Sequence, residues 1–555
     1  MNLLHKVHAT GRWAGVVAIA VAAVVWVHRA WLWRAEPLLF GDHGDARFNV
    51  VVLEHWWRTL RGLEPAGSPG FFYPTPHVLG FSDAWLLAVP PYALARIVAM
   101  PVTAMQATLL ALSVAGFVGA FLALRRIVRA DLAVAAVGAA LCTVQSGVVS
   151  ALWASHSQLA NAQLVPWLAV LAGSAFAEGS LLRRSASALG LGLLAALLLS
   201  TSFYVGWFAG LVILGVVVAA LVMGALVEGL RPQAVRVARG LVAHRAELAL
   251  AMVGALLGLA PFDHLYLPAL HMVGPRELGD AEALLLTPWN ALLGLGAESV
   301  LWGDLAPDLP SIEQRSGYGP LLWGAGVLAL LRLLACAFGA RRRRDALRPE
   351  LLVGLAATLT WLVVTALVTR WSTPTAWSFV YWLVPGAKAL RVPARALLIT
   401  FPLTVCGLAA AVRTLSRRRA TLAVTVLAAT FLLAEQLQRV PMRTLGWPDD
   451  GALRADITAP PRACSWFYLA SHLDVAGRDA LPPVVAQVDA MLVAQNTGLP
   501  TVHGYSGHAP SGWHLGDVRA PGYRAAVRDW ARAQRLVTGA CAYDLVTKSF
   551  TVGLP

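Results

Sequence analysis

Charge is what this 555-residue chain has least of. Lys, Arg, Asp and Glu together make up 13% of it, against 58% hydrophobic residues, and only 30 side chains are carboxylic acids. So little charge does not suit the surfaces of several soluble domains. The mean hydropathy is +0.63, and apolar runs of roughly 20 residues recur, so the chain reads as a polytopic helical membrane protein. No GxxxxGK[ST], HExxH or CxxC pattern occurs, so ATPase, zinc-protease and thiol-redox signatures are missing. The net charge of +14 does not point to nucleic acid: its Arg clusters lie between apolar runs, where they set orientation. Many of the 21 Trp stand near the ends of those runs, as in an interfacial belt.

The run 13–33 follows Lys6 and Arg12. It is too long for a signal peptide and has no small-residue cleavage site, so it reads as a retained span with a cytoplasmic N-terminus. Residues 84–99 pose a choice. Pro90-Pro91 interrupts them, and placing them in the interface puts every later Arg cluster on the cytoplasmic side. Eleven spans follow: 13–33, 103–124, 131–152, 159–177, 185–202, 204–227, 247–268, 319–338, 351–369, 395–413 and 420–438. The longer outer loops are 34–102, 269–318 and 370–394, and 440–555 falls on the same outer side. The expected fold is an all-α membrane domain over 1–439 with a small extracytoplasmic α/β domain over 440–555. In that domain PPVVAQV, LPTVHGY and YDLVTKSFTV read as short strands and 520–535 as a helix. Cys464 and Cys541 lie in it, either bridged in an oxidising compartment or as two buried thiols. Cys142, Cys336 and Cys406 fall in spans and read as apolar packing.

The scarce acids gather in the first outer loop: Asp42, Asp45, Glu54, Glu64 and Asp83. Asp42 and Asp45 share a Gly-flanked turn before an amphipathic helix over 46–61, whose wet face would carry Arg47, Glu54, His55, Arg58 and Arg61. Carboxylates held at a bilayer surface are costly and mark a candidate reaction centre. The alternative is that they cap the turn, a role that suits Asp45 better than Asp42. Lys388, Arg391 and Arg395 sit in an outer loop, against the inside bias. They read either as a clamp for a lipid phosphate or as cations reaching toward headgroups. His156, with Gln158, Asn161 and Gln163, would bind sugar or phosphate, or else cap a helix. Asp263 would join the same cavity or emerge into water, Asp83 would cap a helix, and His503, Tyr505 and Trp513 could form a lip for a sugar.

A short cytoplasmic start, one span and a long outer loop with acids near its beginning resemble the GT-C glycosyltransferases. The likeness extends over GDHGDARFNVVVLEHWWR (41–58), FFYPTPHVLGFSDAWLL (71–87), SHSQLANAQLVPWL (155–168), VPGAKALRVPARALL (384–398) and DAMLVAQNTGLPTVHGYSGHAPSGW (489–513). These stretches are similar to bacterial inner-membrane proteins of the YfhO and mannosyltransferase-like type. The chain departs from adjacent acids, since His43-Gly44 separates Asp42 from Asp45. The resemblance implies transfer of a hexose or pentose from a polyprenyl-phosphate donor to a lipid, glycan or protein acceptor on the periplasmic face. Asp42 would be the base, with Asp45 second, and the 388–395 cations would take the departing phosphate. A divalent cation, magnesium or manganese, is the other way to stabilise that charge, with Asp42 and Asp45 as its ligands if one binds. The rival readings are a flippase for lipid-linked sugars, and a non-catalytic relative that organises envelope assembly.

Overall fold

The computed structural model describes residues 2–33, 38–153, 156–305, 312–343, 345–416, 418–439, 444–446, 456–471, 473, 483–536 and 538–555. Arg344 and Arg417, which belong to the Arg clusters at 341–344 and 417–419 between apolar runs, lie outside the described residues. In the first half of the chain, strand β1 (Leu38–Phe40) follows helix α1 (Asn2–Leu32). Next come α2 (Asp45–Leu60), α3 (Val89–Arg96), α4 (Pro101–Arg126), α5 (Leu132–Val144), α6 (Ser146–Trp153) and α7 (Pro166–Ala175). They are followed by α8 (Leu181–Thr201), α9 (Phe203–Glu228), α10 (Leu230–Ala243) and α11 (Arg245–Val273). The second half holds α12 (Leu278–Ala283), α13 (Pro288–Leu293), α14 (Pro320–Arg343), α15 (Pro349–Leu367), α16 (Ala376–Leu383), α17 (Ala396–Val412) and α18 (Arg419–Gln436). Strands β2 (Thr444–Gly446) and β3 (Trp466–Leu469), helices α19 (Val484–Thr497) and α20 (Tyr523–Ala533), and strands β4 (Ala540–Asp544) and β5 (Ser549–Val552) complete it.

Among the described residues ten helical segments are long and apolar enough to cross a membrane. The eleventh expected span, 159–177, takes a different form: a 3-10 helix over Ser157–Leu164 runs into the short α7. Pro166 at the start of α7 has no N–H to continue a helix from the preceding turn. The stretch is therefore not among those ten segments, and α7 alone, ten residues at about 1.5 Å each, is about half the thickness of a hydrocarbon core. The stretch 84–99 holds nothing longer than the eight-residue α3, which Pro90 and Pro91 begin. Helices α8 and α11 touch through small residues: a Cβ on Gly192 would stand 1.8 Å from the Ala251 carbonyl oxygen, and one on Gly254 2.1 Å from that of Leu189. Backbones that close leave room only for glycine.

The segments expected to be outer loops and the C-terminal segment pack together at one end of the bundle as a layer of their own, called the outer layer. There β1 pairs antiparallel with β2, and β4 pairs parallel with β3 and antiparallel with β5. PPVVAQV is the start of α19, not a strand. Val485, Val488, Met491 and Leu492 recur at helical spacing, and every residue from Val485 to Gln495 is buried. LPTVHGY contributes a single bridge, Thr501 to Phe467, whereas YDLVTKSFTV is the β4–β5 hairpin. Cys464 and Cys541 are joined by a disulfide, their Cα atoms 5.6 Å apart.

Helix α2 has no wet face from Ala46 to His55, where every residue is buried. Arg47 donates to Asp489 of α19 at 2.5 Å, and Glu54 takes hydrogen bonds from Tyr92 (2.8 Å) and Arg96 (2.7 Å) of α3. His55 is buried beside Glu64, 2.7 Å away. Arg47, Glu54 and His55, expected on a solvated stripe, are instead buried among such partners, whereas Arg61 at the end of the stripe is exposed.

Candidate active site

The bundle and the outer layer enclose a cavity of about 910 Å3. Its apolar wall comes largely from α11, where Phe262, Tyr266, Leu270 and Val273 recur at helical spacing, and from the C-terminal end of α16, with Tyr381, Trp382 and Leu383. Its polar wall carries Asp45, Asp83, His156, Lys388, Arg391 and Arg395.

Asp45 is the first residue of α2, but it does not cap the helix. Its Oδ1 accepts a hydrogen bond from the Tyr505 hydroxyl, and its Oδ2 lies 3.4 Å from His156 Nε2. Asp42 Oδ1 accepts from the Gly44 N–H at 3.0 Å, an Asx-type turn that sets up the start of α2. The turn is thus held by Asp42, where the sequence context favoured Asp45. Asp45 faces the cavity, while Asp42 holds the turn and stays near enough to Tyr505 to act on it electrostatically.

His156 Nε2 also lies 3.2 Å from Glu313 Oε1. Glu313 in turn pairs with Arg395 at 2.7 Å and stands 3.6 Å from Arg391. Burial alone would raise the Glu313 carboxyl, but Arg395 and His156 outweigh it and hold it well below the usual carboxylate range. The acid of the first outer loop and the cations of the last one are thus linked through His156 and Glu313. No sequence pattern singled out Glu313; its one signal was that it is an acid just ahead of a span, as Asp42 is just beyond one.

The basic segment is fixed from several sides. Gly386, at φ 82, turns the chain against Trp207, whose Nε1 donates to Pro385 O at 2.9 Å. Arg391 N donates to Tyr204 Oη at 2.9 Å, and the Arg395 guanidinium lies over the Tyr204 ring at 4.5 Å. Lys388 Nζ stands 4.3 Å from the Trp382 ring centroid, and the Arg391 side chain is half exposed. Arg276, another cation of the wall, donates to Gly507 O at 2.9 Å. His508 opposite it is pushed down to about 4 by burial, with Arg276 and Arg391 adding to the shift.

Asp83 does cap a helix, that of α9 rather than its own turn, by accepting from Phe203 N (2.9 Å) and Ser202 Oγ (3.1 Å). Burial pushes its carboxyl upward against those bonds. Asp263 is exposed on α11 and stands outside the cavity lining, one residue round the helix from Phe262. Of the suggested lip, Tyr505 reaches the cavity. His503 is buried among Gln487, Tyr523 and Leu469, and Trp513 donates to Val502 O and lies edge-on to Phe72.

Asp45 is engaged by Tyr505 and His156, and Asp42 by its own turn. Among the described residues no three His, Cys, Asp or Glu side chains are grouped so as to hold an ion. The countercharge on this wall comes from Arg and Lys.

No protein-family model matches the chain, and no curated protein matches it. Among solved structures it is similar to archaeal oligosaccharyltransferase structures and to ArnT. The oligosaccharyltransferase of Archaeoglobus fulgidus, in complex with Zn and sulfate, aligns at 12% identity over 95% of this chain and 68% of that one, with a TM-score of 0.48. The same organism's oligosaccharyltransferase AglB, with an inhibitory peptide and a dolichol-phosphate, aligns at 11% identity over 94% and 68%, with a TM-score of 0.48. ArnT from Cupriavidus metallidurans, in the apo state, aligns at 14% identity over 86% and 85%, with a TM-score of 0.32.

Proposed function

We propose that this protein is a membrane glycosyltransferase of the GT-C type, moving a sugar from a polyprenyl-phosphate donor to a lipid, glycan or protein acceptor. The observation that carries the reading is one cavity whose wall holds a carboxylate, Asp45, together with Lys388, Arg391 and Arg395, beside an apolar surface suited to a lipid chain. Asp45 takes the proton of the acceptor hydroxyl, whose oxygen attacks the anomeric carbon. The bond from that carbon to the phosphate oxygen breaks, and its electron pair stays with the phosphate. Lys388 and Arg391 meet the charge that develops there. Arg395, neutralised by Glu313, braces the wall instead. Phosphate leaves readily, so no general acid is needed, and direct displacement inverts the anomeric centre.

The Arg clusters of the cytoplasmic loops, together with a crossing by 157–175, support a periplasmic cavity in a bacterial inner membrane. Purified protein in proteoliposomes, given undecaprenyl-phosphate hexoses and pentoses, tests the chemistry. Asp45→Asn should lower transfer by about 10²–10⁴-fold while donor still binds, and Lys388→Ala should weaken donor binding. Wild-type transfer by Asp45→Asn would remove the reading.

A further inference from the structure

The acid assigned to catalysis is held by a residue that arrives from the far end of the chain. Tyr505, 460 residues from Asp45, gives its hydroxyl to Oδ1. Its ring lies edge-on to Phe48 of α2, with centroids 5.6 Å apart. The loop that carries it is fixed at several points. Gly504 N donates to Gln487 Oε1 at 3.1 Å, Tyr505 N faces Met491 Sδ at 3.3 Å, and Arg276 grips Gly507 O. A Cβ on Gly504 would sit 2.6 Å from the Phe72 ring, and one on Gly507 2.8 Å from Phe81 O, so the loop is seated directly on the first outer loop. Burial, and then the Asp45 charge, push the phenol well above its ordinary value, so it stays a donor at any working pH.

We infer that Tyr505 is a positioning residue for Asp45: its hydroxyl pins Oδ1 and leaves Oδ2, beside His156, as the oxygen that meets the acceptor. The inference rests on the glycosyltransferase reading for the role of Asp45, and it makes the C-terminal segment a working part of the site. Without the phenol, Oδ1 loses its donor and the carboxylate can rotate about χ2, which is broad for Asp.

Tyr505→Phe keeps the ring and removes only the donor. In full-length protein in proteoliposomes with the undecaprenyl-phosphate sugars, kcat should fall by about 10–100-fold, since small misplacements of a reacting group cost rates of that order. KM for donor should stay within about twofold, and the thermal midpoint should not move. In an Asp45→Glu background, where the carboxylate is already displaced, Tyr505→Phe should add less than about threefold, because two residues acting through one group do not multiply. A cryo-EM map of Tyr505→Phe should show the Asp45 carboxylate turned away from His156, a readout that needs no substrate. An unchanged kcat, a loss that multiplies fully in the Asp45→Glu background, or an unmoved carboxylate would each overturn the inference. Wild-type transfer by Asp45→Asn would instead sink the glycosyltransferase reading, leaving the cryo-EM comparison to decide the positioning role.

Discussion

On α11, Met252, Leu256 and Leu257 are each more than 60% exposed, whereas on α2 every residue from Ala46 to His55 is buried. The more apolar helix leaves its side chains bare, and the more polar one hides them. The bundle has a lipid solvent to cover what it exposes, so its helices need only fit one another closely where they touch, as α8 and α11 do at Gly192 and Gly254. The outer layer faces water and must make its own core. It does so from residues far apart in sequence and ties that core with buried polar pairs, Arg47–Asp489 and Glu54–Arg96 among them. The candidate site lies where the two constructions meet.

That contrast breaks most visibly at Arg47. Arg47→Ala removes the guanidinium that pairs with the buried Asp489 at 2.5 Å, and breaking a buried pair costs about 3–5 kcal/mol. The loss should fall on the outer layer alone. Limited proteolysis should release fragments from 456–555 while the bundle keeps its helical circular dichroism. Simultaneous loss of both would mean they fold as one unit. The bundle's counterpart is Gly192→Ala, whose Cβ meets Ala251 O and Ala255 N of α11. Those are backbone atoms that cannot swing aside, so the helices must separate, at about 1–3 kcal/mol. Here unfolding in detergent should shift while proteolysis of the outer layer does not.

The same division decides what the sequence made legible. Lipid selects composition residue by residue, so the apolar runs revealed the ten long helices, though not that Pro166 divides 159–177 into a 3-10 and an α-helical piece. Water selects contacts. Nothing local says that Arg47 and Glu54 are buried, because their partners Asp489 and Arg96 lie elsewhere. The valines of PPVVAQV suggest a strand, but from Val484 on they form a helix that packs against α2. At the site, composition pointed to the first-loop acids and the 388–395 cations. It could not tell which acid turns inward, because the Asp42 bond to Gly44 and the Tyr505 contact with Asp45 are matters of geometry. Glu313 stayed hidden for the same reason.

Acid should reach the outer layer more than the bundle. His503 is held neutral, with Nε2 accepting from Leu469 N (3.1 Å) and Nδ1 facing Gln487 Oε1 (3.0 Å), and burial lowers it to about 3 from 6.5. Between those values the unfolded state takes up the proton first. Stability is therefore full above pH 6.5 and is lost as the pH falls toward 3, by at most about 1.4 kcal/mol per pH unit. Unfolding of the outer layer, followed by Trp fluorescence, should show that slope, and His503→Gln should flatten it. A slope that survives the substitution assigns the acid sensitivity to another group.

The smallest effect is the sharpest test of what covers the bundle. Leu256 is 65% exposed on α11. If lipid covers it, Leu256→Ala exchanges one apolar neighbour for another and should cost less than about 0.5 kcal/mol in a bilayer or micelle. A buried leucine cut back to alanine leaves a cavity and loses about 2–5 kcal/mol. A loss in that higher range, read from reversible unfolding in detergent, would mean that protein rather than lipid packs on this face of α11. A second copy of the chain would then be the nearest source of that cover, and the division between a lipid-clad bundle and a self-covering outer layer would fail on α11 first.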